Sequence, residues 1–215
     1  LGRADAVEAW SEWYARRLED PLPRSSPIPR DGWRDALGDI RRAGDWAQFF
    51  VRELGERPWP EVLDEWVARL APGMIAGATH GILRTAHAVR SLDRGENRQR
   101  LRELADGLAY WAARYQPLPS SNGVANGTSG VPDALRRVER MDAGASRRGL
   151  IFEVVRSIDS ATFAPVIAYL DTSVAVDAFV SDVTRTFVRQ YLANAQASAI
   201  AFVHTVTAPS ALRIL

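Results

Sequence analysis

The sequence contains no cysteine, no lysine and only three histidines among its 215 residues. Without cysteine, the chain cannot form a disulfide, a thiolate nucleophile, a cysteine-ligated zinc site or a cysteine-bound iron–sulfur cluster. Without lysine, it cannot form a Schiff base or a carboxylated lysine. All 27 basic residues are therefore arginine, a bias that indicates a GC-rich, bacterial genome.

Several other signals are missing. No apolar run approaches the ~18 residues that would indicate a membrane span, and no signal peptide is visible. The net charge of +1 argues against a nucleic-acid partner, because such proteins usually carry a basic excess. No glycine-rich loop follows a strand, so nothing supports an FAD or NAD(P) site. The chain begins with Leu1 rather than Met, and we expect a fragment of a longer domain.

Apolar residues recur at three- and four-residue spacing along most of the chain, and no regular series of strands is visible. This pattern predicts an all-α fold, an irregular multi-helix bundle of nine or ten helices that forms a single domain over residues 1–215. Residues 117–131 are rich in Gly, Ser and Asn and predict a mobile loop. Further helices are expected at residues 147–158 and 172–206.

Four local features set more specific expectations. Residues 3–19 form an amphipathic helix whose Trp10 and Trp13 belong to the core. Asp45 serves as the N-cap of a helix that runs to about residue 54. Pro72 opens the helix that holds His80 and His87, and Pro209 ends the last helix.

Residues 71–92, APGMIAGATHGILRTAHAVRSL, hold two of the three histidines. His80 and His87 are seven residues apart, so they share one helical face but lie about 10.5 Å apart along the axis. Such a pair can bind one metal ion only if the side chains lean together or the helix is distorted. Buried histidines with ordinary hydrogen-bond partners are the alternative.

His204 lies in AIAFVHTVTAP, a nearly uncharged helix that we expect to be buried. All three histidines thus fall in apolar helices rich in small residues, which favours a metal or catalytic cluster. Three imidazoles that share one ion must bring their nitrogens within about 4 Å of one another.

Arg84 lies on the same helical face as His80 and His87. A guanidinium there needs either a carboxylate, for which Glu65, Asp106 and Asp177 are candidates, or an anionic substrate. The aromatic residues Tyr110, Trp111 and Tyr115 could line a flat substrate pocket, although Trp111 also fits the apolar stripe of its helix and would then belong to the core.

Three segments, THGILRTAHAVRSL, DGLAYWAARYQPLP and FVHTVTAP, occur in an order that resembles the questin oxidase-like family, and the likeness extends over most of the chain. Characterised relatives oxidatively open polycyclic aromatic ketones such as anthraquinones. The resemblance implies an all-helical fold with a histidine-rich non-haem iron centre. It implies His80, His87 and His204 as ligands of Fe2+, and Arg84 as a group that positions the substrate or a ligand.

Family members usually carry a further His-Gly element before this start and continue past Leu215, so the site is expected to be incomplete in this chain. The resemblance implies a cytoplasmic oxidoreductase whose partners are O2 and a small aromatic substrate. The alternative is a non-catalytic helical scaffold or ligand-binding domain with core histidines. A metal-dependent hydrolase is a third option, disfavoured by the few carboxylates near the histidines.

Overall fold

The computed structural model describes residues 4–18, 25–118, 126–138 and 163–215, and no strand occurs within these ranges. The predicted all-α fold is confirmed. The helix predicted at 147–158 lies outside the described residues, as do residues 119–125 of the predicted loop. The described helices are α1 (Ala4–Ala15), α2 (Ala43–Glu56), α3 (Trp59–Leu70), α4 (His80–Leu92), α5 (Arg98–Ala113), α6 (Val131–Arg136) and α7 (Val176–Leu212), with short 3-10 turns at Trp33–Ala36, Ile40–Arg42, Ala71–Gly73 and Ala164–Tyr169.

The core lies among α2, α3, α4 and α5, and α5 packs most extensively against α2 and α4. Its centre is a set of aromatic rings that meet mainly edge to face, with centroids 4.9–5.7 Å apart. This separation is the favourable range for aromatic pairs, which adds to the gain from burying their large apolar surfaces. The rings belong to Trp33, Trp46, Phe49, Phe50 and Trp66.

Local sequence signals explain the boundaries of α3 and α5. Pro58 precedes α3, whose apolar residues at three- and four-residue spacing are buried: Val62, Leu63, Trp66 and Leu70. The Asn97 side chain accepts a hydrogen bond from the Arg100 N–H and caps α5. Both residues favour a helix start, because proline already has a helical φ angle and the asparagine side chain accepts a hydrogen bond from an otherwise unpaired N–H.

Asp45 is not the N-cap that the sequence suggested. Helix α2 begins two residues earlier, at Ala43, and the buried carboxylate of Asp45 accepts hydrogen bonds from the Ser25 hydroxyl (2.7 Å), from the Ser25 and Ser26 N–H groups and from the Arg42 guanidinium. Burial alone would raise the pKa of Asp45, but these hydrogen bonds outweigh it and lower that pKa from 3.8 to about 2. The side chain therefore fastens residues 25–26 to α2.

Trp10 and Trp13 were predicted to be core residues, and that prediction is wrong for the described part of the chain. Trp10 is 56% exposed and Trp13 is 47% exposed. Trp10 stacks on Tyr14 with centroids 5.0 Å apart, and the Arg17 guanidinium lies over the Trp13 ring. The spacing reported an apolar face correctly, but α1 has no neighbour among the described helices that covers that face.

Helix α7 differs from expectation in two ways. Pro209 does not end it, because the helix continues to Leu212 and the buried Ala211 anchors its last turn in the core. The helix also folds back on itself. The Thr205 hydroxyl donates to the carbonyl of Phe187 over 3.2 Å, whereas a straight helix would separate these residues by roughly 27 Å. Leu192 and Ile200, between those residues, are 71% and 80% exposed, so this helix is less buried than predicted.

Candidate functional site

Helix α4 begins at His80 and not at Pro72. The intervening backbone leaves the right-handed region at three successive residues, Gly77, Ala78 and Thr79, whose φ angles are 53°, 57° and 68°. A non-glycine residue in this region costs about 1–2 kcal/mol, so Ala78 and Thr79 are strained. Strain of this kind persists only where the surrounding structure enforces it. It lies directly before the first histidine.

The surrounding structure consists of three aromatic side chains that each cover a glycine. The Tyr115 ring packs on Gly73 and the Tyr110 ring on Gly77, so closely that neither position has room for a Cβ atom. At Gly81, an added Cβ would lie 2.8 Å from the Cβ and Cγ of Trp111. The glycines recur every four residues, and the aromatic rings come from α5 and its C-terminal end. The resulting close approach fixes the start of α4.

Trp111 is 1% exposed, and its indole N–H donates to the carbonyl of Gly73 over 3.1 Å. Its side chain therefore packs inside the protein, as the apolar stripe of its helix indicated, and a contact between Trp111 and a substrate stays a prediction. Tyr110 and Tyr115 are partly exposed. A direct contact between these two tyrosines and a substrate stays a prediction.

His80 and His204 meet although 124 residues separate them in the chain. Their Nε2 atoms lie 3.2 Å apart, and the rings are tilted by 54°. The His204 Nδ1 atom lies 2.8 Å from the carbonyl oxygen of Ile200. Because a carbonyl only accepts, this contact assigns the proton of a neutral His204 to Nδ1 and leaves its Nε2 lone pair directed toward His80.

The pKa of His80 is lowered from 6.5, first by desolvation and second by the charge of His204. Both causes disfavour the imidazolium form. His80 is thus held neutral near pH 7, and a neutral imidazole is the form that binds a metal ion. Its side chain is nonetheless exposed rather than buried.

His87 does not join this pair. Its Nδ1 atom lies 3.1 Å from an Arg90 nitrogen and the side chain is exposed. Since α4 is regular from His80 onward, the seven-residue spacing keeps the two histidines about 10.5 Å apart along the axis. The structure thus brings together two of the three predicted histidines.

Arg84 pairs with Glu103, a carboxylate that was not among the three candidates named from the sequence. The Nη2 to Oε1 distance is 2.9 Å, and the Arg84 side chain is 40% exposed. Of the candidates, Asp106 pairs with Arg102, and Glu65 pairs with Arg57 and Arg69. This exposed ion pair ties α4 to α5 and leaves part of the guanidinium open to solvent.

The donor set of the histidine pair can be tested against metal ligation. Two nitrogens bound at about 2.1 Å to one ion, at angles of about 90–109°, lie about 3.0–3.4 Å apart, and the observed 3.2 Å falls within this range. A metal-bound histidine usually donates the N–H of its other ring nitrogen to a carbonyl or carboxylate, which orients the ring, and the His204 Nδ1–H has this contact with Ile200. Within the described residues, no third His, Asp or Glu completes the group. The pair therefore fits two positions of a metal site.

Sequence reasoning missed the left-handed turn at residues 77–79 and the role of the glycines before α4. The available signal was the repeat of Gly73, Gly77 and Gly81 at intervals of four, which indicates that something approaches the backbone closely. No local sequence pattern could predict which aromatic residues pack on those glycines, because that depends on how α4 and α5 cross.

None of the described helices combines the length and the apolar character that crossing a membrane would require. A family model described as questin oxidase-like matches residues 6–212, nearly the whole chain. The match includes both histidines of the pair and the three aromatic residues that cover the glycines. No match was found among curated proteins or among solved structures.

Proposed function

This chain belongs to the questin oxidase-like family, and from that premise we propose that it is an oxidoreductase that uses O2 to cleave a polycyclic aromatic or quinone-like substrate. The family supports an oxidoreductase, and the finer reaction follows the activity that the resemblance implies. A cytoplasmic location remains an expectation from the same resemblance.

The observation that carries the proposal is the Nε2–Nε2 approach of His80 and His204. Two imidazoles from distant parts of the chain, with one tautomer fixed by the Ile200 carbonyl, form a donor pair suited to Fe2+. A bound iron would supply the activation of O2.

The protein's own residues have two roles in this chemistry: they position the two imidazoles and the substrate, and they hold the proton of His204 on one nitrogen. The left-handed turn at Gly77–Thr79, which the Tyr110 ring covers, fixes the backbone position of His80 at the start of α4. Ile200 keeps the His204 proton on Nδ1, away from the pair. Arg84 lies one helical turn beyond His80, and the open part of its guanidinium could hold an oxyanion of the substrate.

The test is oxygen consumption by the iron-loaded protein with 1,8-dihydroxyanthraquinone as the substrate and ascorbate as the two-electron reductant, so that one atom of O2 enters the substrate and the other leaves as water. We expect a ring-opened product that carries oxygen from 18O2. His204→Ala removes a proposed ligand, so the rate should fall by about a hundredfold or more, at least as much as the roughly 10–100-fold loss when a group that orients a ligand is removed. Arg84→Gln should raise KM more than it lowers kcat. Iron-loaded protein that gives neither oxygen uptake nor product would contradict the proposal for this substrate class.

A second candidate is a non-catalytic helical ligand-binding or scaffold domain. The contacts of Arg84 with Glu103 and of His87 with Arg90 favour it, because both are pairs internal to the protein. On this reading the His80–His204 contact is a hydrogen bond that joins α4 to α7. It predicts that His80→Gln keeps ligand binding and that added Fe2+ leaves the melting temperature unchanged.

A further inference from the structure

The left-handed turn before His80 leaves three polar groups without a protein partner. The amides of Gly77 and Ala78 donate to no backbone carbonyl within the described part of the chain. The hydroxyl of Thr79, a residue that is 9% exposed, has no hydrogen-bond partner there either. A buried hydroxyl without a partner costs free energy, and so do the left-handed φ angles of Ala78 and Thr79. The turn is therefore an unfavourable local conformation.

A right-handed helix would satisfy all three groups. If α4 continued back toward Pro72, as the sequence predicts, the amides of Gly77 and Ala78 would donate to carbonyls four residues earlier. A threonine hydroxyl in a helix commonly donates to the carbonyl four residues before it, which is the carbonyl of Ile75 for Thr79. The left-handed φ angles would also be lost. Local interactions thus favour the helix over the turn.

The Tyr110 ring prevents that helix from forming. An atom in the Cβ position of Gly77 would lie 2.6 Å from Tyr110 Cε1, so the ring is in direct contact with the backbone. Moving the φ angle of Gly77 from 53° into the helical range near −60° swings the adjacent peptide groups. A ring in this contact leaves those groups no room. The ring therefore holds the turn in place.

The conformation of residues 76–79 determines what lies beside His80. Side chains of a helix point back over the turn that precedes them. With the present turn, the His80 ring meets His204, and their Nε2 atoms are 3.2 Å apart. The Gly81 N–H donates to the carbonyl of Ala76, five residues earlier, over 3.4 Å. A regular helix would replace this bond with a four-residue bond and bring the preceding turn under the His80 ring.

We propose that residues 75–79 form a two-state element that controls the histidine pair. With the Tyr110 ring on Gly77, the segment is the left-handed turn and His80 meets His204. With the ring released, α4 extends back by more than one turn and the two histidines separate. A ligand that draws the Tyr110 ring away from Gly77 shifts the balance toward the helix. The regulatory meaning of this element rests on the proposed function of the pair, whereas the two conformations need no metal.

The test is amide hydrogen exchange, followed by NMR on the metal-free whole chain. In the wild type, the amides of Gly77 and Ala78 should exchange rapidly because they have no carbonyl partner. Tyr110→Ala should slow both by about tenfold or more, since each amide becomes hydrogen-bonded within a helix. The same variant should weaken the nuclear Overhauser contact between the ring protons of His80 and His204.

Two variants serve as controls for Tyr110→Ala. Tyr115→Ala removes a ring of the same size that covers Gly73, a residue in a 3-10 turn without left-handed φ angles. Tyr110→Phe keeps the ring and removes only the hydroxyl. Both variants should keep the rapid exchange of the Gly77 and Ala78 amides.

Thr79 tests the same element without a change at Tyr110. Thr79→Gly and Thr79→Ala both remove the hydroxyl, but glycine adopts the φ angle of 68° without strain, whereas alanine favours a helix. We expect Thr79→Gly to melt higher than Thr79→Ala, by roughly 2–4 °C, and to keep the rapid exchange.

Three results would each overturn the inference: unchanged or faster exchange in Tyr110→Ala, equal slowing in Tyr115→Ala, or a higher melting temperature for Thr79→Ala than for Thr79→Gly. Because no metal is added, these results leave the proposed oxidation untouched. A failed oxidation assay likewise leaves the two conformations of residues 75–79 untouched.

Discussion

Replacing Gly81 with alanine tests the packing that sets the position of His80. The new Cβ would lie 2.8 Å from Trp111 Cβ and Cγ and 2.9 Å from Trp111 Cα, whereas carbon atoms in contact prefer about 3.5–4.0 Å. The Cα belongs to the backbone of α5, so a rotamer change of Trp111 cannot remove the overlap. Helices α4 and α5 must then separate by a few tenths of an ångström or more.

The expected magnitude is a balance of two effects. Overpacking costs about 1–3 kcal/mol, and the better helix propensity of alanine returns at most about 1 kcal/mol. The net loss is therefore about 0–3 kcal/mol, with a middle value of about 1.5 kcal/mol that lowers the melting temperature by roughly 3–6 °C in a chain of this size. Far-UV circular dichroism during thermal and urea unfolding measures both quantities.

Two other glycines complete the series. Gly55, near the end of α2, has nothing within 4 Å of its Cβ direction, and Gly107 would meet Thr85 at 3.1–3.2 Å. Gly55→Ala should therefore raise stability by up to about 1 kcal/mol, and Gly107→Ala should fall between the two. A Gly81→Ala protein as stable as Gly55→Ala would refute the close approach of α4 and α5.

Three further outcomes are expected. Asp45→Asn should lower the free energy of unfolding by about 2 kcal/mol at pH 7, and the difference should shrink as the pH falls from about 4 toward 2, because the carboxylate pKa is lowered from 3.8 to about 2. In metal-free protein, NMR should show His80 titrating below 6.5, with His204→Ala moving its pKa back toward 6.5. Since the folded form disfavours protonated His80, this group reduces stability as the pH falls below 6.5. Arg84→Gln should change the free energy of unfolding by less than about 1 kcal/mol, as is usual for an exposed ion pair such as that with Glu103; a larger change would contradict this.

The helical content could be predicted because it depends on the local periodicity of apolar residues. The same reasoning failed for α1, where an apolar face at Trp10 and Trp13 says nothing about which helix covers it. It also failed at Pro72, because proline favours a helix start but cannot force one when the following residues are held in the left-handed region.

The candidate site was predictable in part. The composition of the histidine helices pointed to His80 and His204, and the structure brings their nitrogens to 3.2 Å. His87 shares the same local signal, yet a regular α4 keeps it too far along the axis, which is the difficulty that the seven-residue spacing already posed. The partner of Arg84 depended on how α4 and α5 cross, so no local pattern could select Glu103.

The most direct test of the central claim is the iron content of the purified protein and of three single variants. We expect bound iron in the wild type, its loss in His80→Ala and His204→Ala, and its retention in His87→Ala, with circular dichroism confirming that all four proteins are folded. Iron that is lost equally in His87→Ala, or a wild type that binds no iron when Fe2+ is supplied, would contradict the assignment of His80 and His204 as the metal-binding pair.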